Sequence, residues 1–371
     1  MNNRERVNAI LHYKEYDRLP LVHFGYWKET VDKWCDEGHL PKELKGKYDY
    51  DLEIENIIAD KIGFDFGWNT VYGVDSDISP LFETKTLEET ADGFIKVLNS
   101  RGVIILQKEG AGSIPAEVDH TLKDRESWVE HFIPRLKFNE DRVNQQRLGE
   151  IKNRKDDGNP RGLFLGSLYG RLRDWLGIVG ISYLYADDEE IYYEMIDTLG
   201  NLTYRCTEAA LNTGLEFDYA HLWEDICFKN GPLVSPAIFD KAVGPHYKHI
   251  TQLLKNHGID IISLDCDGCI DSLIPTWMNN GVNTMFPIEV GTWNASIAPW
   301  REKYGKEIRG IGGMDKKVFA HDYRAIDLEV ERLKPLVDLG GYIPCPDHRI
   351  PLDAKWENVQ YYCDVMRKEF S

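Results

Sequence analysis

Two aspartates set two residues apart are the first candidates for chemistry. The run Gly258–Gly268 reads GIDIISLDCDG, and in it Ile262 and Leu264 alternate with Ser263, Asp265 and Asp267. Successive residues of an extended chain face opposite sides, so Ser263, Asp265 and Asp267 share one side if the strand continues that far. Paired carboxylates at the carboxyl end of a buried strand can bind a metal, share a proton or hold a cationic ligand. They also suit the cap of a following helix or turn. A second concentration, His221-Leu222-Trp223-Glu224-Asp225 followed by Lys229-Asn230-Gly231-Pro232, ends another extended run. Glu224 is its candidate catalytic carboxylate. Lys229 can neutralise Glu224 or Asp225 or touch substrate, His221 is a substrate-contact candidate, and Trp223 offers a flat apolar surface. The third, Pro344-Cys345-Pro346-Asp347-His348-Arg349, follows the apolar run GGYI. Its prolines stiffen the loop that presents Asp347 and His348. His348 can exchange a proton near neutrality or ligate a metal through a neutral nitrogen.

Other pieces could complete the site. In Gly166–Trp175, GSLYGRLRDW, Ser167 and Tyr169 stand where a strand end enters a helix, with Arg173 and Asp174 able to pair outside the mouth. Gly312-Gly313-Met314-Asp315-Lys316 leaves another strand, making Asp315 a supporting candidate, while His23 in VHFG reads as a packed histidine that could also face a cavity. Cys266-x-x-Cys269 with Cys345-x-x-His348 has the ligand types and spacings of a Cys3His zinc site. Strand alternation opposes that set, because it turns Cys266 away from Asp265 and Asp267, and buried thiols are ordinary small core residues.

The elements that must position these residues follow a regular rhythm. From Arg161 onward the extended runs GLFLGS, LEFDYAHLW, GIDIISLDCDG, GVNTMFPIE, IRGIGGMD and GGYIPCPDH alternate with helical stretches starting near Gly170, Pro236, Ile270, Thr292, Asp322 and Trp356. That alternation requires a parallel sheet covered on its outside, open or closed. No GxGxxG or GxxxxGK[ST] lies between a strand and a helix, so the doubly wound nucleotide-binding folds lose their usual support. Before Arg161, residues 3–13 place Val7, Ile10 and Leu11 on one helical stripe, and two short helices are expected between Trp27 and Gly63. An antiparallel hairpin excursion is expected at about residues 81–110, and a helix at residues 141–155. The chain, 1–371, reads as one domain.

With 371 residues, 42% of them apolar and 12% aromatic, the chain can fill a large core. The formal charge of −18, from 62 acidic against 44 basic residues, disfavours nucleic acid and anionic membrane as partners. No stretch approaches 18 uncharged apolar residues, and Met1–Tyr13 carries Glu5 and too short a hydrophobic region to be expected as a secretory signal, so the expected compartment is the cytoplasm. Seven dispersed cysteines fit a reducing environment.

Taken together, several blocks resemble the uroporphyrinogen-decarboxylase-like superfamily. They are Arg4–Leu11 with Asp17-Arg18-x-Pro20 and Phe24-Gly25, the Glu224-Asp225 block with Lys229–Pro232 and Ser235-Pro236, Asp267-Gly268, Pro287, Gly312-Gly313-x-Asp315-Lys316, and Gly340–His348. Their order spans nearly the whole chain. The resemblance implies a TIM-type (β/α)8 barrel with its pocket at the mouth, in a superfamily of heme-pathway decarboxylases and cobalamin-dependent methyltransferases. The decarboxylases hold their polyanion with an arginine-rich amino-terminal segment. Pro20–Trp27 here lacks the paired arginines, and a polyanion needs several fixed cations. Members that methylate a thiol coenzyme use zinc on one histidine and two cysteines, at positions that look similar to Asp265, Asp267 and a site near His348. Oxygen ligands are poorly matched to activating a thiol.

The chain is then most similar to substrate-side methyltransferases, which demethylate a small O-methyl or N-methyl compound and pass the methyl group to a corrinoid protein. That resemblance implies catalytic roles for Asp265, Asp267, His348 and Glu224, and zinc, if present, on Asp265, Asp267 and His348. Substrate contacts would come from His221, Trp223, Tyr169, Lys229, Asp347 and Asp315. No built-in corrinoid-carrying domain is recognisable, so the corrinoid would come on a separate partner protein; a homodimer is the default assembly. The alternatives are a decarboxylase or lyase acting on a small carboxylate, and a noncatalytic corrinoid-binding protein.

Overall fold

The computed structural model describes residues 1–68, 71–108, 115–143 and 157–371. Its first helix, Asn3–Leu11, opens on a reciprocal cap in which the Asn2 side chain accepts the Glu5 N–H at 2.9 Å and the Glu5 carboxylate accepts the Asn2 N–H at 2.8 Å. The helix buries Val7, Ile10 and Leu11, the stripe that their spacing predicts. Strand β1 (Val22–His23) follows, then helices Lys28–Asp36 and Leu52–Ile62, and strands β2 (Phe66–Gly67) and β3 (Val71–Gly73).

Next come β4 (Lys85–Glu89), β5 (Ile95–Leu98), β6 (Val103–Gln107) and β7 (Ala116–His120), one four-stranded antiparallel sheet in chain order. The excursion thus runs past residue 110 to His120. Strand β7 reads AEVDH, exposed or half-buried throughout, and lacks the apolar run that marks β5 and β6. Most of the helix expected at residues 141–155 lies outside the described residues; the described start is a 3₁₀ turn, Glu140–Arg142.

The second half carries β8 (Gly162–Gly166), β9 (Tyr219–Trp223), the small hairpin β10 (Cys227–Phe228) and β11 (Gly231–Pro232), then β12 (Ile262–Asp265), β13 (Thr284–Ile288), β14 (Arg309–Met314) and β15 (Tyr342–Pro346). A seven-stranded parallel sheet runs β3-β8-β9-β12-β13-β14-β15. Helices connect its strands, from Tyr169–Asp187 after β8 to Trp356–Glu369 after β15. Every residue of β12, β13 and β15 is buried, as a sheet covered on both faces demands.

The pair β1–β2, also parallel, sits beside this sheet. Past β1, the Trp27 N–H donates to the Ile350 carbonyl at 3.2 Å and the Ile350 N–H to the Gly25 carbonyl at 3.0 Å, which ties the pair to the chain after β15. The architecture is therefore mixed α/β around a central parallel sheet. Among the described residues the strand ladders form seven strands and a separate pair, not one continuous ring. No helix among them is long and apolar enough to cross a membrane.

Candidate functional site

A cavity of about 430 Å³ lies where the ends of β9 and β12 meet the loop after β15. Phe24, Phe164 and Trp223 give it apolar walls, and Asp225, Asp265, Asp267, His221 and His348 give it ionisable ones. Sheet register explains the inner layer: Phe164 pairs with His221, His221 with Ser263, and Trp223 with Asp265. Parallel strands in register carry their inward side chains side by side, so His221 Nδ1 meets Ser263 Oγ at 2.5 Å. Its Nε2 lies 4.0 Å from Asp265 Oδ2. Burial pushes the His221 imidazole down to about 3, so the ring is neutral at physiological pH.

Asp265 ends its strand, and the alternation persists into the following loop. Cys266 turns to the other side, where its thiol accepts the Ile226 N–H at 3.3 Å, and Asp267 returns to the cavity. Burial, then the charges of Asp267 and Asp225, hold the Asp265 carboxyl well above the usual carboxylate range and favour its protonated form. Asp267 Oδ2 faces His348 Nε2 at 3.3 Å. Its Oδ1 is buried with no hydrogen-bond partner. His348 is braced by rings, stacking on Trp27 at 5.5 Å and meeting the Phe24 edge at 5.0 Å. Gly268, at φ +85°, makes the turn after Asp267 and donates its N–H to Glu289 at 2.6 Å. A Cβ there would come within 2.5 Å of the Cys227 carbonyl oxygen, so only glycine fits. The cavity thus combines a carboxyl that burial biases toward its protonated form, a neutral imidazole and an aspartate–histidine pair able to pass a proton.

Asp225 adds a pH-dependent feature. Burial first, then the charge of Asp267, pushes its carboxyl up to about 6, against the pull of Arg173 at 3.5 Å. A carboxyl whose pKa rises on folding stabilises the fold fully below its unfolded value, and that contribution is lost as pH climbs through the folded value. Asp225 therefore works against stability above about pH 6. The backbone there is left-handed, φ +45°, a geometry asparagine also tolerates. Asp225→Asn should raise the melting temperature more at pH 8 than at pH 4 when unfolding is followed by circular dichroism; equal shifts at both would refute the burial penalty.

No protein-family profile and no curated protein sequence matches the chain. Among solved structures, a methyltransferase from Methanosarcina mazei superposes with a TM-score of 0.60 at 12% identity, over 100% of this chain and 99% of that one. The chain shares the fold of that methyltransferase along its whole length. A B12-independent methionine synthase from Shewanella sp. W3-18-1 aligns over 95% of this chain and 99% of that one at 9% identity, but its TM-score of 0.48 is too low to bear on the fold.

On this fold, Asp265, Asp267, His348, His221 and Trp223 come together at the cavity, and the remaining candidates do not. Glu224 is fully buried beneath it, accepting from Ser167 Oγ at 2.9 Å, the Leu168 N–H at 3.2 Å, the Gly170 N–H at 2.6 Å and the Tyr247 hydroxyl. Ser167 is thereby engaged below the mouth. Tyr169 packs against Tyr192 and Phe239, and burial pushes its hydroxyl up to about 12. Lys229 stands exposed at the turn between β10 and β11. Asp347 is fully buried, accepting the Gly291 N–H at 2.7 Å and pairing with Lys316 at 3.2 Å, and so holds the loop that presents His348. Asp315 caps the 3₁₀ turn Lys316–Ala320 through the Lys317 N–H. His23 is packed, with Nδ1 accepting the Gly25 N–H at 3.0 Å. Cys266 and Cys345 are buried. Among the described residues, no three His, Cys, Asp or Glu side chains gather as a metal site would require.

Arg101, Arg171 and Arg349 also line the cavity, and none was among the candidates. Arg171 and Arg173 lie over the Trp223 ring at 5.4 and 5.7 Å. Arg349 had a cue in its place next to His348. Arg101, on the excursion, had none.

Proposed function

We propose that the protein is a methyltransferase that takes the methyl group of a small O-methyl or N-methyl compound in this cavity and delivers it to a corrinoid on a separate protein. The observation that supports this most is the Asp267–His348 pair at 3.3 Å, set beside the proton-retaining Asp265 between apolar walls. In this reading the seven-stranded sheet and the β1–β2 pair, with β2 and β3 counted as successive parts of one barrel strand, together line one (β/α)8 barrel, within a single cytoplasmic domain. The bond from the methyl carbon to oxygen or nitrogen breaks as that carbon takes the electron pair of the reduced corrinoid, which is the methyl acceptor. The departing atom then takes a proton from Asp265, or from His348 held by Asp267. Phe24, Phe164 and Trp223 exclude water around the methyl group. Zinc on Asp265, Asp267 and His348 would polarise the leaving atom instead. As placed, these side chains do not form such a site, so the proposed step runs on protons.

One observation favours a second reading. Three cavity arginines suit a carboxylate substrate, and a lyase would release carbon dioxide with Asp267 or His348 protonating the carbanion. Both are tested by incubating purified protein with reduced cob(I)alamin and a panel of methoxylated aromatics and methylamines. Appearance of the methylcobalamin spectrum is the expected result. Carbon dioxide release without any corrinoid would replace the methyltransferase reading with the lyase, and conversion by neither route, with partner corrinoid proteins included, would leave a binding protein.

A further inference from the structure

The antiparallel excursion reaches into the cavity through one residue. Its β5–β6 turn is a firm mount: the Asn99 side chain accepts the N–H groups of Arg101 at 2.9 Å and Val103 at 3.0 Å. Gly102, at φ +80°, packs so closely on Phe82 that a Cβ would lie 2.8 Å from its ring, and its carbonyl accepts the Thr121 N–H at 2.8 Å. From this turn Arg101 lines the cavity. Its guanidinium stands 3.8 Å from Asp77 and 4.0 Å from Asp174, too far to hydrogen-bond either. Those carboxylates are already engaged, Asp77 by Arg171 at 3.1 Å, and Asp174 by Arg171 at 3.1 Å and Arg173 at 2.9 Å. Half of the Arg101 side chain, 49%, remains exposed.

A second cation is similarly underused. Arg349 has its nearest carboxylate, Glu55, at 3.6 Å, and one of its terminal nitrogens is buried with no hydrogen bond. Burial pushes the Glu55 carboxyl up, which weakens its hold. The walls beside these two cations, Phe24, Phe164 and Trp223, are aromatic.

We infer that the methyl donor is an anion, a carboxylate borne on a flat apolar frame, with Arg101 of the excursion and Arg349 of the β15 loop holding the carboxylate. Arg101 is then a specificity-determining residue, and the excursion is the element that brings it to the site. This deepens the proposed function and rests on the same cavity being the substrate site.

The test is a calorimetric titration of the full chain, without corrinoid, with 4-methoxybenzoate and with its neutral counterpart 4-methoxybenzamide. Wild type should bind the benzoate more tightly, and more weakly as salt is raised. Loss of a charge-assisted hydrogen bond predicts that Arg101→Ala weakens benzoate about tenfold to a hundredfold, leaves the amide unchanged, and is partly rescued in Arg101→Lys. Absence of binding by either compound, equal binding of the two, or full benzoate affinity in Arg101→Ala would overturn the inference. Because the titration reads no methyl transfer, combining it with the cob(I)alamin assay lets the two proposals fail separately. Benzoate binding without turnover removes the methyltransferase and keeps the anion site. Methyl transfer only from neutral or cationic donors does the reverse.

Discussion

Replacing Asp267 with asparagine should slow methyl transfer by about 10²–10⁴-fold, the usual worth of a positioned proton donor or acceptor, while leaving the melting temperature close to that of wild type. The contacts account for this combination. One carboxylate oxygen faces His348 at 3.3 Å, and the other is buried without a partner. The fold gains little from this carboxylate, and an amide of the same shape should cost it little. His348→Ala should lower the rate to a similar extent, with a larger stability loss, because the imidazole stacks on Trp27 and meets the edge of Phe24. Groups that act as a unit are not additive, so the double variant should be scarcely slower than the poorer single one. Initial rates with saturating methyl acceptor, alongside thermal melts, decide the matter. Near-normal turnover in both single variants would remove the pair from the mechanism.

Asp265, Asp267 and His348 were legible in the sequence for a simple reason. Period-two alternation through ISLDCD assigns Ser263, Asp265 and Asp267 to one side and Cys266 to the other, and local geometry beyond the strand did not disturb it. The strand–helix rhythm after Arg161 was equally legible, because each strand is a short apolar run bounded by turns. The choice between Glu224 and Asp225 was not. Both follow β9, but Asp225 adopts a left-handed backbone at φ +45°, and nothing in the string EDICF announces that reversal. Lys229 could not be placed from its spacing, because the hairpin β10–β11 has two-residue strands, too short to carry a pattern, and the lysine stands exposed at its turn. Asp347 and His348 are neighbours with opposite destinations. The carboxylate goes down to Lys316 and Gly291 while the imidazole goes in. Arg101 depends on where a whole antiparallel sheet docks, which is a long-range matter that no local spacing encodes.

Glu224→Ala should be the most damaging single change to the fold. The carboxylate is an acceptor for four donors at once: the Ser167 hydroxyl, the Leu168 and Gly170 N–H groups and the Tyr247 hydroxyl. Alanine leaves all four buried without an acceptor. At about 1–3 kcal/mol for each buried donor left unpaired, and with water able to enter the vacated space and recover part of it, the loss is roughly 3–5 kcal/mol. Burial pushes this carboxyl upward against the same donors, which pull it down. Glu224→Gln keeps the volume but sets an amide N–H₂ toward donors, so its loss should be intermediate. Chemical denaturation monitored by tryptophan fluorescence gives both values. The contacts join the end of β9 to the first turn of helix Tyr169–Asp187, and Trp223, Asp225 and Arg171 flank that junction at the cavity wall. Activity per folded molecule separates support from chemistry. If Glu224 acts by holding the wall, Glu224→Gln at low temperature should keep a turnover number within a few-fold of wild type, with any loss in substrate affinity. A drop of the size expected for Asp267→Asn would instead make Glu224 a participant in proton transfer through Ser167 or Tyr247.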